Sequence, residues 1–122
     1  MKIIILNLCL VGCLLIGACN SNRGHISITT KDKGTSLKFT ASYPENKTAK
    51  AQQYIEKSFK EDRIFNAPND SKKVEIRLVD GTHFNLTYEP GYLAIHFDRN
   101  KNSNGSYQQM KKMIAGFGKA IN

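Results

Sequence analysis

The chain has 122 residues, of which 18 are Lys or Arg and 10 are Asp or Glu, so its formal charge is +8 at neutral pH. This length accommodates one domain and is short for two. The three cysteines, Cys9, Cys13 and Cys19, all lie near the amino terminus. The rest of the chain therefore offers no disulfide framework, no cysteine nucleophile and no zinc–thiolate site.

The first eighteen residues are typical of a secretory signal. Lys2 supplies the positive charge, residues 3–15 are mostly apolar, and residues 16–18 (Ile-Gly-Ala) end the segment with small side chains. Residues 3–18 are too few to span a bilayer as a helix. The pattern predicts export from the cytoplasm.

The residue that follows this segment is Cys19, and Ile16, Gly17 and Ala18 precede it. This arrangement resembles the lipobox of bacterial lipoproteins and covers only residues 1–19. The resemblance implies cleavage before Cys19, a diacylglycerol thioether on its sulfur and an acyl chain such as palmitate on the new amine. Two or three acyl chains hold a protein on a membrane far more firmly than one. The alternative is an ordinary signal peptide in which Cys19 occurs by chance.

These observations predict three segments: a signal peptide (1–18), a lipidated cysteine with a polar linker (19–24) and a single domain (25–122). Lys2 is the only charged residue that cleavage would remove, so the remaining chain has a formal charge of +7. Asn20 stands where lipoproteins retained at the inner membrane often have Asp. The resemblance thus implies the outer membrane, facing the periplasm, in a host with two membranes, and otherwise the outer side of the plasma membrane.

The first half of the domain begins with two predicted strands. Apolar and polar residues alternate over residues 26–30 and 37–43, and a turn-rich loop joins them, which predicts a β-hairpin. Pro44 ends the second strand, and Asn46 is predicted to cap a helix over residues 47–60. The helix residues predicted to face the core are Ala51, Tyr54, Ile55, Ser58 and Phe59.

Three further strands are predicted by alternation over residues 74–78, 84–88 and 93–97. Pairing Leu78 with Thr82 across a three-residue loop, with a left-handed Gly81, keeps the apolar residues on one face. A two-residue turn would mix the two faces, so the bulged form is predicted. The next turn is centred on Pro90 and Gly91.

The last predicted element is a helix over residues 106–121. Its apolar stripe consists of Tyr107, Met110, Ile114, Phe117 and Ile121. Gly116 and Gly118 predict close packing of this helix on the sheet or on the other helix. The element order ββα-βββα, with one apolar face on each element, predicts an α+β fold in which two helices pack on one face of a five-stranded antiparallel sheet.

The polar side of the three-stranded meander is the candidate binding face. The predicted pairing places Arg77, His83 and Asp98 in one row and Glu75, Asn85 and His96 in the next, with Tyr92 at a turn on the same side. Two imidazoles and a carboxylate are suited to acid–base chemistry or metal binding. However, these strands contain no serine to activate, and paired opposite charges are also typical of a solvated sheet face.

We therefore expect a membrane-anchored envelope lipoprotein with a non-catalytic binding role. The candidate targets are a partner protein, as for an inhibitor or immunity protein, and an anionic envelope surface. No cofactor and no metal are expected, and nucleic acid is not favoured because most aromatic residues are predicted to face the core. The alternatives are a small enzyme or metal-binding protein that uses His83, His96 and Asp98, and a polyanion-binding module.

Overall fold

The computed structural model describes residues 25–122 and has the element order ββα-βββα. The strands are β1 (Ser27–Asp32), β2 (Ser36–Ser42), β3 (Lys72–Arg77), β4 (His83–Glu89) and β5 (Tyr92–Asp98), and the helices are α1 (Thr48–Phe59) and α2 (Asn104–Ile121). Single 3₁₀ turns, Glu45–Lys47 and Arg99–Lys101, precede the two helices. The predicted signal peptide, Cys19 and the linker 19–24 lie outside the described residues.

The five strands form one antiparallel sheet in the order β1-β2-β5-β4-β3. In the register, Ile95 lies between Phe39 of β2 and Leu86 of β4, so the apolar residues of the three inner strands share one face. Both helices pack on this face and contact each other. The predicted α+β fold, with a five-stranded antiparallel sheet and two helices, is confirmed.

Strand β1 extends two residues beyond its predicted end, because Lys31 and Asp32 pair with Lys38 and Leu37. The loop between β1 and β2 is therefore shorter than predicted and has three residues, centred on Gly34, whose φ is +86°. Asp32 stabilises this tight loop because its Oδ1 accepts a hydrogen bond from the Gly34 N–H at 3.0 Å. The longer strand brings Lys31 into the sheet.

The two turns of the meander have the predicted forms. Gly81 has a φ of +94°, and the loop is closed by a 2.8 Å hydrogen bond from the Leu78 N–H to the Thr82 carbonyl. Gly91 has a φ of +80°, and a Cβ at this position would lie 2.8 Å from the Tyr43 carbonyl oxygen. Glycine is therefore required in the second turn for conformation and for space.

The core lies between the sheet and the helices. Phe117 of α2 is fully buried, and its ring centroid lies 5.2 Å from Phe39, 6.1 Å from Tyr43 and 6.0 Å from Tyr54. One side chain thus connects β2, α1 and α2. Ile64, which follows α1, is also buried. Burial raises the pKa of the Tyr43 phenol.

Helix α1 begins at Thr48, and the prediction that Asn46 caps it is wrong. Asn46 lies inside the 3₁₀ turn, and the residue at the cap position, Lys47, makes no side-chain capping bond. The chain turns earlier than expected because the N–H of Lys47 bonds to the carbonyl of Pro44. The Thr48 hydroxyl accepts a 2.9 Å hydrogen bond from the N–H of Gly91, which joins the start of α1 to the β4–β5 turn.

Helix α2 begins at Asn104, two residues before the predicted start. Its cap is Ser103, whose Oγ accepts a 3.0 Å hydrogen bond from the Ser106 N–H. The apolar stripe differs from the prediction at one turn, since Met113 is buried and Ile114 is half-buried. None of the helices in residues 25–122 has the length and hydropathy needed to cross a membrane.

Candidate binding face

The side of the sheet opposite the helices, here called the open face, is formed by every second residue of the five strands. Strands β2, β4 and β5 alternate between buried residues that face the helices and exposed or half-buried residues that face away. The open face comprises Thr29, Lys31, Lys38, Thr40, Lys73, Glu75, Arg77, His83, Asn85, Thr87, Tyr92, Ala94 and His96, with Glu89 and Asp98 at its rim. No helix in residues 25–122 packs on it.

The structure places all seven predicted site residues on this side of the sheet. Arg77 lies opposite His83, and Asn85 lies between Glu75 and His96, in the predicted rows. Five of the seven border one depression of about 110 Å³: Glu75, His83, Asn85, His96 and Asp98. Tyr92 lies apart from them, because it is four positions from His96 along β5, a distance of about 13 Å.

The Glu75 carboxylate, which borders this depression, contacts a guanidinium and an imidazole. Glu75 Oε2 lies 3.5 Å from Arg77 Nη2 and 3.5 Å from His83 Nδ1. The side chains of Glu75 and Arg77 are 49% and 72% exposed, so water screens their attraction. Glu75 therefore offsets part of the positive charge of Arg77 at this end of β3.

Three hydrogen bonds between the Asn102 side chain and the backbone fix the position of His83 beside Asp98. The amide of Asn102 accepts a 2.8 Å hydrogen bond from the His83 N–H and donates to the carbonyls of His83 and Asp98. The Asp98 carboxylate accepts a 2.9 Å hydrogen bond from the Asn100 N–H and caps the following 3₁₀ turn. The sequence analysis did not single out Asn102, and its position in a polar, turn-rich segment was the only available signal.

The arrangement of His83, His96 and Asp98 does not form a metal centre. Within residues 25–122, no three His, Asp or Glu side chains lie close enough together to hold a metal ion. The Asp98 carboxylate is already engaged by a backbone N–H. These residues offer hydrogen bonding and charge to a ligand.

The lysines of the open face were missed by the sequence analysis. Lys38 lies directly opposite Lys31 on one side and His96 on the other, and Lys73 lies opposite Thr87. The position of Lys38 beside His96 depends on the pairing of β2 with β5, which joins residues at least fifty positions apart. Alternation within each strand gives no signal for that pairing.

Acidic residues are concentrated elsewhere. Half of the ten carboxylates accept hydrogen bonds from backbone N–H groups in turns and loops: Asp32, Glu56, Glu61, Asp80 and Asp98. No carboxylate in residues 25–122 forms an ion pair with Lys31, Lys38 or Lys73, and residues 1–24 contain no Asp or Glu. These three lysines therefore have no ion-pair partner among residues 25–122.

Comparisons of the chain with models of protein families, with curated proteins and with solved structures find no match. The features of this chain that indicate a function are therefore the open face itself and the sequence of the first nineteen residues.

Proposed function

We propose that this chain is a cell-envelope lipoprotein that is anchored through Cys19 and acts by binding a partner through the open face. The observation that carries the proposal is a five-stranded sheet face made of polar and charged side chains on which no described helix packs. The binding role requires no catalytic group and no cofactor. In a host with two membranes, the proposed position is the periplasmic side of the outer membrane.

The regular strands support this proposal because they hold the binding residues rigidly. Side chains on paired strands keep fixed relative positions, and a surface that is ordered before binding loses less conformational entropy when a partner arrives. The hydrogen bonds of Asn102 to His83 and Asp98 further fix one end of the face. A protein that binds without reacting needs this kind of surface.

Site-specific crosslinking in the native host tests the role of the open face. A photoreactive amino acid replaces Thr87, a half-buried residue near the centre of the face, and in a matched control it replaces Ala115, an exposed residue on α2. We expect an adduct to another molecule from position 87 and none from position 115. Absence of any adduct from position 87 would contradict the proposal.

Mass spectrometry of the mature protein from the same host tests the anchor. The expected amino terminus is Cys19 with a diacylglycerol group on its sulfur. An unmodified Cys19 thiol, or cleavage at another position, would exclude the proposed attachment to the membrane.

The triple variant Glu75→Ala/Arg77→Ala/His83→Ala tests separately whether the residues in and beside the depression contribute to binding. The variant Gln53→Ala/Lys57→Ala/Lys112→Ala, on the helices, is its control.

A further inference from the structure

The lysines on the open face form an unusual arrangement for a stable sheet. Lys31 and Lys38 lie directly opposite each other on β1 and β2, and both are exposed. Like charges at directly opposed positions destabilise a pair of strands. His96 continues the same row on β5, so no acidic residue interrupts it across three strands. A negatively charged neighbour would relieve this repulsion.

The side chains beside the lysines are small and carry hydroxyl groups. The next row along the sheet contains Thr29, Thr40, Ala94 and Thr87, and ends at Lys73. Protein–protein interfaces are enriched in aromatic residues and Arg and depleted in Lys. Lysines attract anionic lipid surfaces, and hydroxyls donate hydrogen bonds to phosphate oxygens. We call the lysine-bearing part of these two rows the lysine-bearing surface, and it has the composition of a phosphate-binding surface. It consists of Thr29, Lys31, Lys38, Thr40, Lys73, Thr87, Ala94 and His96.

The face also has room for a headgroup. A shallow concavity of about 530 Å³ lies on its surface, and its charged and polar lining includes Lys38, Lys73, Thr87 and His96, with one carboxylate, Glu75, on the β3 side. This volume lies within the range of pockets that receive small molecules. Ammonium groups thus border a space into which a phosphate can enter from solvent.

The proposed anchor would attach close to this surface. Ser27, the first residue of β1, is the eighth residue after Cys19, so the intervening chain spans at most about 27 Å. Strand β1 carries Thr29 and Lys31 on the open face. The strand nearest the anchor in sequence is therefore one edge of the lysine-bearing surface, and the linker length permits that surface to reach the bilayer.

We propose that the lysine-bearing surface docks on the anionic phospholipid headgroups of the membrane in which the protein is anchored. This inference rests on the proposed lipid anchor and names the occupant of the face. Docking would hold the domain flat, with α1 and α2 directed away from the membrane. A protein occupant is the competing outcome of the test.

The test uses the full, lipidated chain in vesicles and measures the exposure of single thiols. Residues 25–122 contain no cysteine, so Thr40→Cys reports on the open face and Ala115→Cys reports on α2. A water-soluble maleimide is added to protein in pure phosphatidylcholine vesicles and in vesicles with about one-third phosphatidylglycerol. The rate of labelling at each position is compared between the two vesicles.

We expect labelling of Thr40→Cys to be at least about tenfold slower on the anionic vesicles, because each lysine near an anionic surface contributes roughly a fivefold preference. Roughly 0.5 M salt should restore the rate. Lys31→Gln/Lys38→Gln/Lys73→Gln should also restore it, whereas Lys50→Gln/Lys57→Gln/Lys112→Gln, with the same net charge, should not. Labelling of Ala115→Cys should be the same on both vesicles.

Each failure has a separate signature. If Cys19 itself is labelled, the anchor is absent and the proposed function fails with the docking. If the protein is anchored but Thr40→Cys reacts equally fast on both vesicles, the lipid docking is wrong and the anchor stands. If Thr40→Cys is protected in native membranes but not in anionic vesicles, a protein covers the face, which also overturns lipid docking.

Discussion

The two faces of the sheet are built from alternate residues of the same strands and follow different rules. Phe39 on β2 is fully buried against Phe117, whereas Thr40, the next residue, faces solvent and is half-exposed. The helix-covered face contains large apolar side chains in close contact. The open face contains lysines that oppose one another and are not paired with carboxylates in residues 25–122.

This difference separates the residues that hold the fold from those available for function. On the covered face, each side chain contributes to the stability of the fold by excluding water, and the space available in the core restricts which residue can occupy its position. On the open face, the arrangement of Lys31 beside Lys38 lowers stability and has no compensating contact within the described residues. Residues that reduce stability without a structural purpose are expected at functional surfaces.

The largest expected effect comes from substituting adjacent residues of β2 that face opposite ways. Phe39→Ala should lower the free energy of unfolding by about 3–5 kcal/mol, because it removes a ring from a closely packed core. Thr40→Ala should change it by less than about 1 kcal/mol, since the side chain lies at a half-exposed strand position. Urea denaturation of the two variants measures both values.

A small difference between these two variants would contradict the assignment of the faces. Leu86→Ala and Thr87→Ala on β4 repeat the comparison, since Leu86 is fully buried and Thr87 is half-buried on the opposite side. The same ordering on both strands is expected if the helices cover one face alone.

A second effect, of about 1 kcal/mol, concerns the packing of the two helices on the covered face. A Cβ at Gly116 would lie 2.6 Å from the Tyr54 hydroxyl, which donates a 2.8 Å hydrogen bond to the Met113 carbonyl. Gly116→Ala should gain about 1 kcal/mol of helix propensity and lose a similar amount through displacement of this hydroxyl. The single substitution should therefore be close to neutral.

The double-mutant cycle with Tyr54→Phe reveals the two opposing terms. Without the hydroxyl, the nearest ring carbon lies 3.6 Å from the added Cβ, an ordinary contact distance. In the Tyr54→Phe background, Gly116→Ala should then stabilise the protein by about 1 kcal/mol. Strict additivity of the two substitutions in thermal denaturation would show that Gly116 is not restricted by Tyr54.

Much of this architecture could be predicted from the sequence, because alternation reports which face a strand residue occupies. The requirement that residues paired across strands share a face predicted the bulged turn at Gly81 and the row of Glu75, Asn85 and His96. The structure confirms both. Helix ends were predicted less well. Asn46 has the chemistry of a cap, but an earlier turn at Pro44 places it outside the cap position.

The open-face lysines could not be predicted, for a different physical reason. Lys38 becomes part of a basic surface only because β2 pairs with β5, and the position of Lys31 depends on the length of a loop. The pairing of β2 with β5 is long-range, and the exact length of the β1–β2 loop is not specified by alternation within either strand. Alternation within the meander therefore predicted the rows around Glu75 but not the lysines of β1 and β2 beside them.

A third effect, of about 0.2–1 kcal/mol, should have the opposite sign. Lys31→Glu places opposite charges across β1 and β2, so it should stabilise the domain. Lys33→Glu makes the same change in net charge in the adjacent turn, outside the paired strands, and serves as the control. Chemical denaturation at low ionic strength measures the difference, and roughly 0.5 M salt should reduce it. If Lys31→Glu destabilises the protein, the two side chains do not repel each other across the strands.

The smallest expected effect concerns Asp32, which lies at the edge of the covered face and is exposed. Hydrogen bonds from the Tyr107 hydroxyl and the Gly34 N–H, assisted by Lys111 and Arg99, lower the pKa of Asp32 from its ordinary value of 3.8. A carboxylate with a lowered pKa stabilises the folded state above its ordinary pKa, and the contribution is lost as the pH falls through the folded value.

Asp32→Asn should therefore lower the thermal midpoint slightly at neutral pH, and its difference from the wild type should disappear as the pH falls below 3.8. Asp62→Asn, at an exposed position after α1, is the control and should leave the midpoint unchanged at both pH values. A difference for Asp32→Asn that persists unchanged in acid would mean that the side chain acts through hydrogen bonding alone. Tyr107 would then fix the end of β1 to α2 without help from the carboxylate charge.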